Sequence, residues 1–188
     1  VDRLRERYGE HPVLLETTAD YTDDKVESAA LYRRAAEIAA ANRLPTLSIR
    51  LSFAPVLVEL GEPIAALAEL RACGGEAADG NTDERKQWIW ELERVALDTT
   101  GDTQRAALFR QAADIAKMYG FSALCIQLSL ARFLLDVGDP MTALEELRRC
   151  RSEVPAANED DRTWWAGLLD EATGAEPGVA PERHERNQ

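Results

Sequence analysis

The sequence predicts an all-α fold made from one helical unit used twice, and three observations carry that prediction. Apolar residues recur at spacings of three and four rather than two, which favours helices and leaves no segment that reads as a strand. Ala30-Leu31-Tyr32-Arg33 returns as Ala107-Leu108-Phe109-Arg110 at a constant offset (107 − 30 = 77) that still holds at the pair Cys73 and Cys150. Gly61-Glu62-Pro63 and Gly138-Asp139-Pro140 punctuate the two copies at the same place. A gap-free self-match of this length means a repeat architecture.

Taken in order, residues 1–18 read as a helix with Leu4, Tyr8, Val13 and Leu15 as apolar positions, interrupted near Gly9 and Pro12. Thr17 to Asp20 is expected as a connector. Asp24 starts a helix to about Asn42, with Glu27 at capping-box spacing and Leu31, Ala35, Ile38 and Ala39 as its stripe. Leu44-Pro45 stops it. The helix from Pro45 to Leu60 is apolar on more than one side, which predicts a central position, and Pro55 inside it predicts a kink or early break. Gly61 is a left-handed cap and Pro63 a first helical residue of a helix to Cys73 carrying Ile64, Leu67 and Leu70. Gly74 to Gly80 reads as a small-residue loop.

The second half follows the first. Asn81 or Thr82 caps a helix to Asp98 with Trp88, Trp90, Leu92 and Val95, and Asp102 caps one to Met118 that Gly120 closes. Ser122 caps a helix to Val137. Pro140 opens the next, which ends near Cys150. Asn158-x-x-Asp161 starts a last helix to about Thr173, with Trp164, Trp165, Leu168 and Leu169. From Gly174 onward there is nothing to bury, so a disordered tail over 174–188 is expected.

Composition narrows the function classes. Formal net charge is −12, which argues against direct nucleic-acid binding, since that needs a concentrated basic face. No apolar run spans a bilayer and no secretory signal is seen, so a cytoplasmic, membrane-free protein is expected. Cys73, Cys125 and Cys150 fit no zinc spacing; Cys73 and Cys150 read as buried structural thiols. The only histidines are His11 and His184. No His-based triad, phosphate loop or carboxylate pair set in an apolar segment is visible, so neither enzymatic activity nor a metal or cofactor is expected.

Each unit of 77 holds four helices, hence two hairpins. A turn Gly followed five residues later by Ala occurs as Gly61/Ala66, Gly101/Ala106 and Gly138/Ala143. This resembles the tetratricopeptide repeat, a bacterial-type example, over about residues 1–155. By that resemblance Ala54 and Ala131 stand at the small first-helix position, Trp90 at the early Trp and Pro155 after the second helix, while Arg94 departs from the pattern. The resemblance implies a right-handed α-solenoid of four hairpins (about 1–43, 45–73, 82–118 and 122–150) with a capping helix at 158–173.

The family's concave groove, carried over by the Gly register, presents Ser48, Leu51, Pro55 and Glu59 from the second hairpin. The third gives Trp88, Glu91, Val95 and Asp98, and the fourth Cys125, Leu128, Arg132 and Asp136. Trp88 and Leu128 read equally as groove or as inter-hairpin core. Such a surface suits a protein or peptide segment with apolar anchors and an Arg or Lys. The family's carboxylate-clamping version is not supported, because Ser48, Glu91 and Cys125 offer no cation. The expected function is a protein–protein interaction scaffold. The alternative is a regulatory, sensor or dimerisation module of a larger bacterial regulator, with a homodimer as the third reading. Removing residues 175–188 is expected to leave the melting temperature nearly unchanged in a thermal scan; a fall of several degrees would show that the tail docks.

Overall fold

A computed structural model describes residues 10–174. The expected apolar positions Leu4 and Tyr8, and the tail beyond Gly174, lie outside the described residues. Among the described residues every regular element is helical. The helices are α1 (Pro12–Asp20), α2 (Lys25–Ala41), α3 (Leu47–Glu59), α4 (Pro63–Ala72), α5 (Gly74–Asp79), α6 (Thr82–Leu97), α7 (Asp102–Met118), α8 (Leu124–Asp136), α9 (Pro140–Cys150) and α10 (Glu159–Gly174). A 3-10 turn, Val154–Ala156, precedes the last.

The duplication appears as helix boundaries. α2 and α7, α3 and α8, and α6 and α10 begin and end at positions related by the sequence offset (for instance 124 − 47 = 77). α1 matches the last nine residues of α6 by the same offset. The turns repeat as well. After α3, Gly61 N–H donates to Val58 O (2.9 Å) and Glu62 N–H to Leu57 O (2.8 Å); after α8, Gly138 and Asp139 do the same to Leu135 and Leu134. These are Schellman closures, which need a left-handed residue after the helix, and both glycines have φ near +80° (78° and 82°). After α2 the left-handed residue is Arg43 (φ 56°), where the second copy has Gly120 (φ 79°).

The chain divides into two compact units, one running to Ile126 and the other from Gln127. In the first unit neighbouring helices pack in succession: α1 on α2, α2 on α3, α3 on α4, then α4 on α6 and α7, and α6 on α7. The core follows the small residues. Ala35, Ala39, Ala54 and Ala66 are fully buried and let backbones approach, while Phe53, Leu57, Leu70 and Trp88 fill the space between. In the second unit α9 packs on α10. There the indole N–H of Trp165 donates to Leu147 O (3.1 Å), and Ala143, Leu147, Cys150, Leu168 and Ala172 are buried.

Several local expectations are revised. α1 starts at Pro12, capped by the His11 side chain, and runs through Thr17 to Asp20, so that stretch is helix and not connector. Val13 points to solvent and Leu15 inward. Asp24 does cap α2, accepting from Val26 and Glu27 N–H. The buried stripe of α2 is Ser28, Tyr32, Ala35, Ala36 and Ala39, with Leu31 and Ile38 only half-buried, because α1 and α3 both press on the Tyr32 side. α3 continues past Pro55 to Glu59 without an early break. Ile64 is exposed. Gly101, not Asp102, occupies the N-cap of α7.

The small-residue stretch after α4 is the short helix α5, not a loop. It turns Glu76 back onto the start of α3. Its carboxylate accepts from Thr46 N–H (2.7 Å), Leu47 N–H (3.0 Å) and the Thr46 hydroxyl (2.7 Å). Thr46 makes no side-chain cap of its own, so a carboxylate thirty residues away satisfies the free amides and complements the helix dipole. α5 can enter there because Gly74 has no Cβ: one would lie 2.3 Å from Cε2 at the edge of the Tyr119 ring. Tyr119 is held in place by its hydroxyl, which donates to Arg71 O (2.7 Å), and by its ring, which meets Trp88 edge-on at 5.7 Å. Gly74→Ala is therefore expected to lower stability by about 1–3 kcal/mol in urea melts. Gly75→Ala, whose Cβ would meet nothing, is expected to be neutral or stabilising; equal losses at both would refute the Tyr119 constraint.

Candidate functional site

The candidate site is built on α6. Asn81 and Glu84 form a reciprocal capping box: Asn81 Oδ1 accepts from Asp83 and Glu84 N–H, and Glu84 accepts from Asn81 N–H. That fixes where the helix begins and hence which way each side chain faces. Trp88, Glu91, Leu92, Val95 and Ala96 turn inward. Residues two apart lie on opposite sides of a helix, so burial of Trp88 puts Trp90 out, 53% exposed. Arg85, Lys86, Ile89, Trp90 and Glu93 form the outer face.

The segment after α7 supplies the other wall. Gly120 (φ 79°) turns the chain, with Phe121 N–H bonded to Ala116 O (3.1 Å), and Phe121 comes to rest 5.2 Å from the Trp88 ring. Ile89, Trp90, Phe121 and Cys125 thus line an open groove of about 420 Å³, with Arg85, Lys86, Glu93 and Ser122 around it. Trp90 is held from one side: the Arg94 guanidinium lies 5.2 Å from its ring centroid and is itself anchored to Asp98 at 3.0 Å. Arg85 donates to Ala78 O (2.8 Å). Lys86 is exposed and makes no hydrogen bond or ion pair among the described residues. Glu93 is engaged within the chain.

A second cavity of about 650 Å³ lies near the ends of α2, α3 and α5, lined by Arg43, Thr46, Arg50, Glu76, Asp79 and Glu84 among others. Its central charges are spent on the fold: Glu76 caps α3, Arg50 is paired with Glu69, and Glu84 completes the capping box. Among the described residues no group of His, Cys, Asp or Glu could hold a metal ion. None of their helices is long and apolar enough to cross a membrane.

Several of the twelve residues expected to form a groove face the interior. Leu51, Trp88, Val95 and Leu128 are at most 4% exposed and belong to the core. Glu91 is also buried. The Gly register carried over to α6 selects its inner face, because Trp88 rather than Trp90 turns inward to meet the Leu70 carbonyl, Tyr119 and Phe121. Ser48 is exposed and hydrogen-bonds to Glu16, Pro55 is half-buried, and Glu59 is exposed and paired with Lys25 at 2.9 Å. Asp98 is held by Arg94. Arg132 is tied to Asp136 and, at 2.8 Å, to Glu171. Of the twelve, Cys125 alone lines the groove. The Trp88/Trp90 spacing was the signal that one indole had to face out. Cys73 and Cys150 form no disulfide and are buried as expected, and burial pushes the Cys73 thiol up to about 12.

No protein-family model matches the chain, and neither the curated proteins nor the solved structures contain a match to it.

Glu91 has the most altered carboxyl near the site. Burial pushes it up to about 7 from an ordinary 4.5; Arg94, 3.8 Å away, opposes the shift and Asp98 adds to it. The folded state therefore holds a proton that the unfolded chain releases above pH 4.5. The stability from that proton is complete at low pH and is lost as pH rises to about 7. Glu91→Gln is expected to remove this loss and to gain on the order of 2–3 kcal/mol on the wild type between pH 5 and pH 8 in denaturant titrations. Parallel pH profiles for the two proteins would show that Glu91 titrates normally.

Proposed function

We propose that this protein is an interaction module of tetratricopeptide-like hairpins stacked as a solenoid, and that it takes a segment of a protein partner in the groove on α6. One observation carries the reading. The helical unit is built twice, but only one copy bears the groove floor. At the offset that superimposes α6 on α10 (167 − 90 = 77), Ile89 and Trp90 become Ala166 and Gly167, and Lys86 becomes Thr163. Two inward positions are kept, Trp88 with Trp165 and Leu92 with Leu169, while Glu91, Val95 and Ala96 become Leu168, Ala172 and Thr173. The repeated fold thus demands the inner indole and does not demand the outer one. An exposed Trp beside Ile and Phe, next to uncommitted positive charge, is the composition of a binding hot spot.

The test is panning of a random-peptide display library on the full chain, wild type beside Trp90→Ala. Trp90 is half exposed and its removal should leave the circular dichroism melt within about 1 kcal/mol. Peptides enriched by the wild type and lost with Trp90→Ala support the groove. No enrichment, or enrichment indifferent to Trp90, overturns it.

A further inference from the structure

The groove also has a charge preference, and it is opposite to the overall sign of its chain. The inference rests on the groove reading above. Five arginines are spent on internal carboxylates: Arg34 on Glu10, Arg50 on Glu69, Arg94 on Asp98, Arg132 on Asp136 and Arg149 on Glu146. The cations at the groove rim are not spent in this way. Lys86, one of only three lysines in the sequence, has no partner among the described residues. Arg85 beside it donates to a backbone carbonyl and pairs with no carboxylate among the described residues. The single carboxylate of the groove, Glu93, is already engaged within the chain and lies about two turns along α6 from Arg85 and Lys86. The charge left open for a ligand is positive.

We infer that the α6 groove recognises an acidic peptide segment: a large apolar side chain seated on Ile89, Trp90 and Phe121, with a carboxylate reaching Lys86 and Arg85. The helix sets the spacing. Lys86 and Trp90 are four residues apart, roughly 6 Å along the axis at about 1.5 Å per residue. An extended peptide covers that distance in about two residues. The recognised pattern is therefore an aromatic or long aliphatic residue with Asp or Glu about two positions away. This reverses the sign expected from the sequence alone, where the chosen groove residues were acidic and suggested an Arg or Lys anchor. A net charge of −12 repels acidic segments in general, so the preference requires close contact at the rim and is sensitive to salt.

The same panning experiment separates this inference from the one it rests on. The wild type should enrich peptides with the apolar–acidic spacing, and Lys86→Glu should shift enrichment toward Lys or Arg at the acidic position. A selected acidic peptide, titrated by fluorescence anisotropy, should bind Lys86→Glu at least about fivefold more weakly at low salt, with the difference shrinking at high salt. Trp90-dependent peptides that are basic, or indifferent to Lys86→Glu, overturn the charge preference and leave the groove standing. Loss of Trp90 dependence overturns both. A homodimer in light scattering that Trp90→Ala dissociates would assign the groove to a second copy of the chain and overturn the acidic-peptide inference.

Discussion

The first unit is arranged around a single hydrogen bond, from the Trp88 indole to the Leu70 carbonyl at 2.8 Å. A buried indole N–H left unpaired costs about 1–3 kcal/mol. Its acceptor exists because α4 ends at Ala72, and the last carbonyls of a helix have no partner within it. The Cys73 thiol shares the same carbonyl at 3.3 Å. Everything near the site follows from that anchor. The end of α4 fixes Trp88; Trp88 fixes the rotation of α6; Tyr119 and Phe121 cover the indole; and Gly74 must stay small beneath Tyr119. The second copy repeats the anchor with Trp165 and Leu147, with Cys150 bonded to the same carbonyl at 3.3 Å.

The two copies part where the anchor no longer decides. Arg50, half-buried and paired with Glu69, is replaced by Gln127, whose buried Oε1 accepts no hydrogen bond among the described residues. Trp88 is fully buried, whereas Trp165 is half-buried and Trp164 is 38% exposed. α10 carries Thr163, Ala166 and Gly167 where α6 has Lys86, Ile89 and Trp90. A helix with small and polar residues at those places tolerates water, so the two helices share a frame and present different outer faces.

The frame was legible in the sequence because it rests on short-range signals. Apolar spacing, the Gly61 and Gly138 turns and the Asp24 and Asn81 caps all act within a few residues, and the gap-free duplication checked the turns and the Asn81 cap, repeated as Asn158, against a second copy. What escaped were effects between distant residues. Nothing near Thr46 says that Glu76 will cap α3, and the same contact makes a helix of a stretch that reads as a loop. The groove was misread for a related reason. α6 is apolar on two sides, and the choice between Trp88 and Trp90 as the inner ring depends on where α4 ends and on Tyr119, forty-eight residues beyond the Arg71 carbonyl it bonds. Glu91 offered no local sign of burial, since a carboxylate between tryptophans and leucines on a helix usually faces water.

The succession of neighbour-to-neighbour packing in the first unit bears on how the chain acquires its structure. Most of its helix contacts join elements adjacent in sequence, such as α1 with α2, α3 with α4, and α6 with α7. Little chain entropy is lost in closing such short loops, and folds dominated by local contacts reach the native state quickly. The reach of Glu76 to Thr46 and of Tyr119 to Arg71, like the packing of α6 on α3 and α4, closes longer loops. Longer loops cost more entropy to close, so the wall of the groove formed after α7 is expected to close after the helix pairs beneath it.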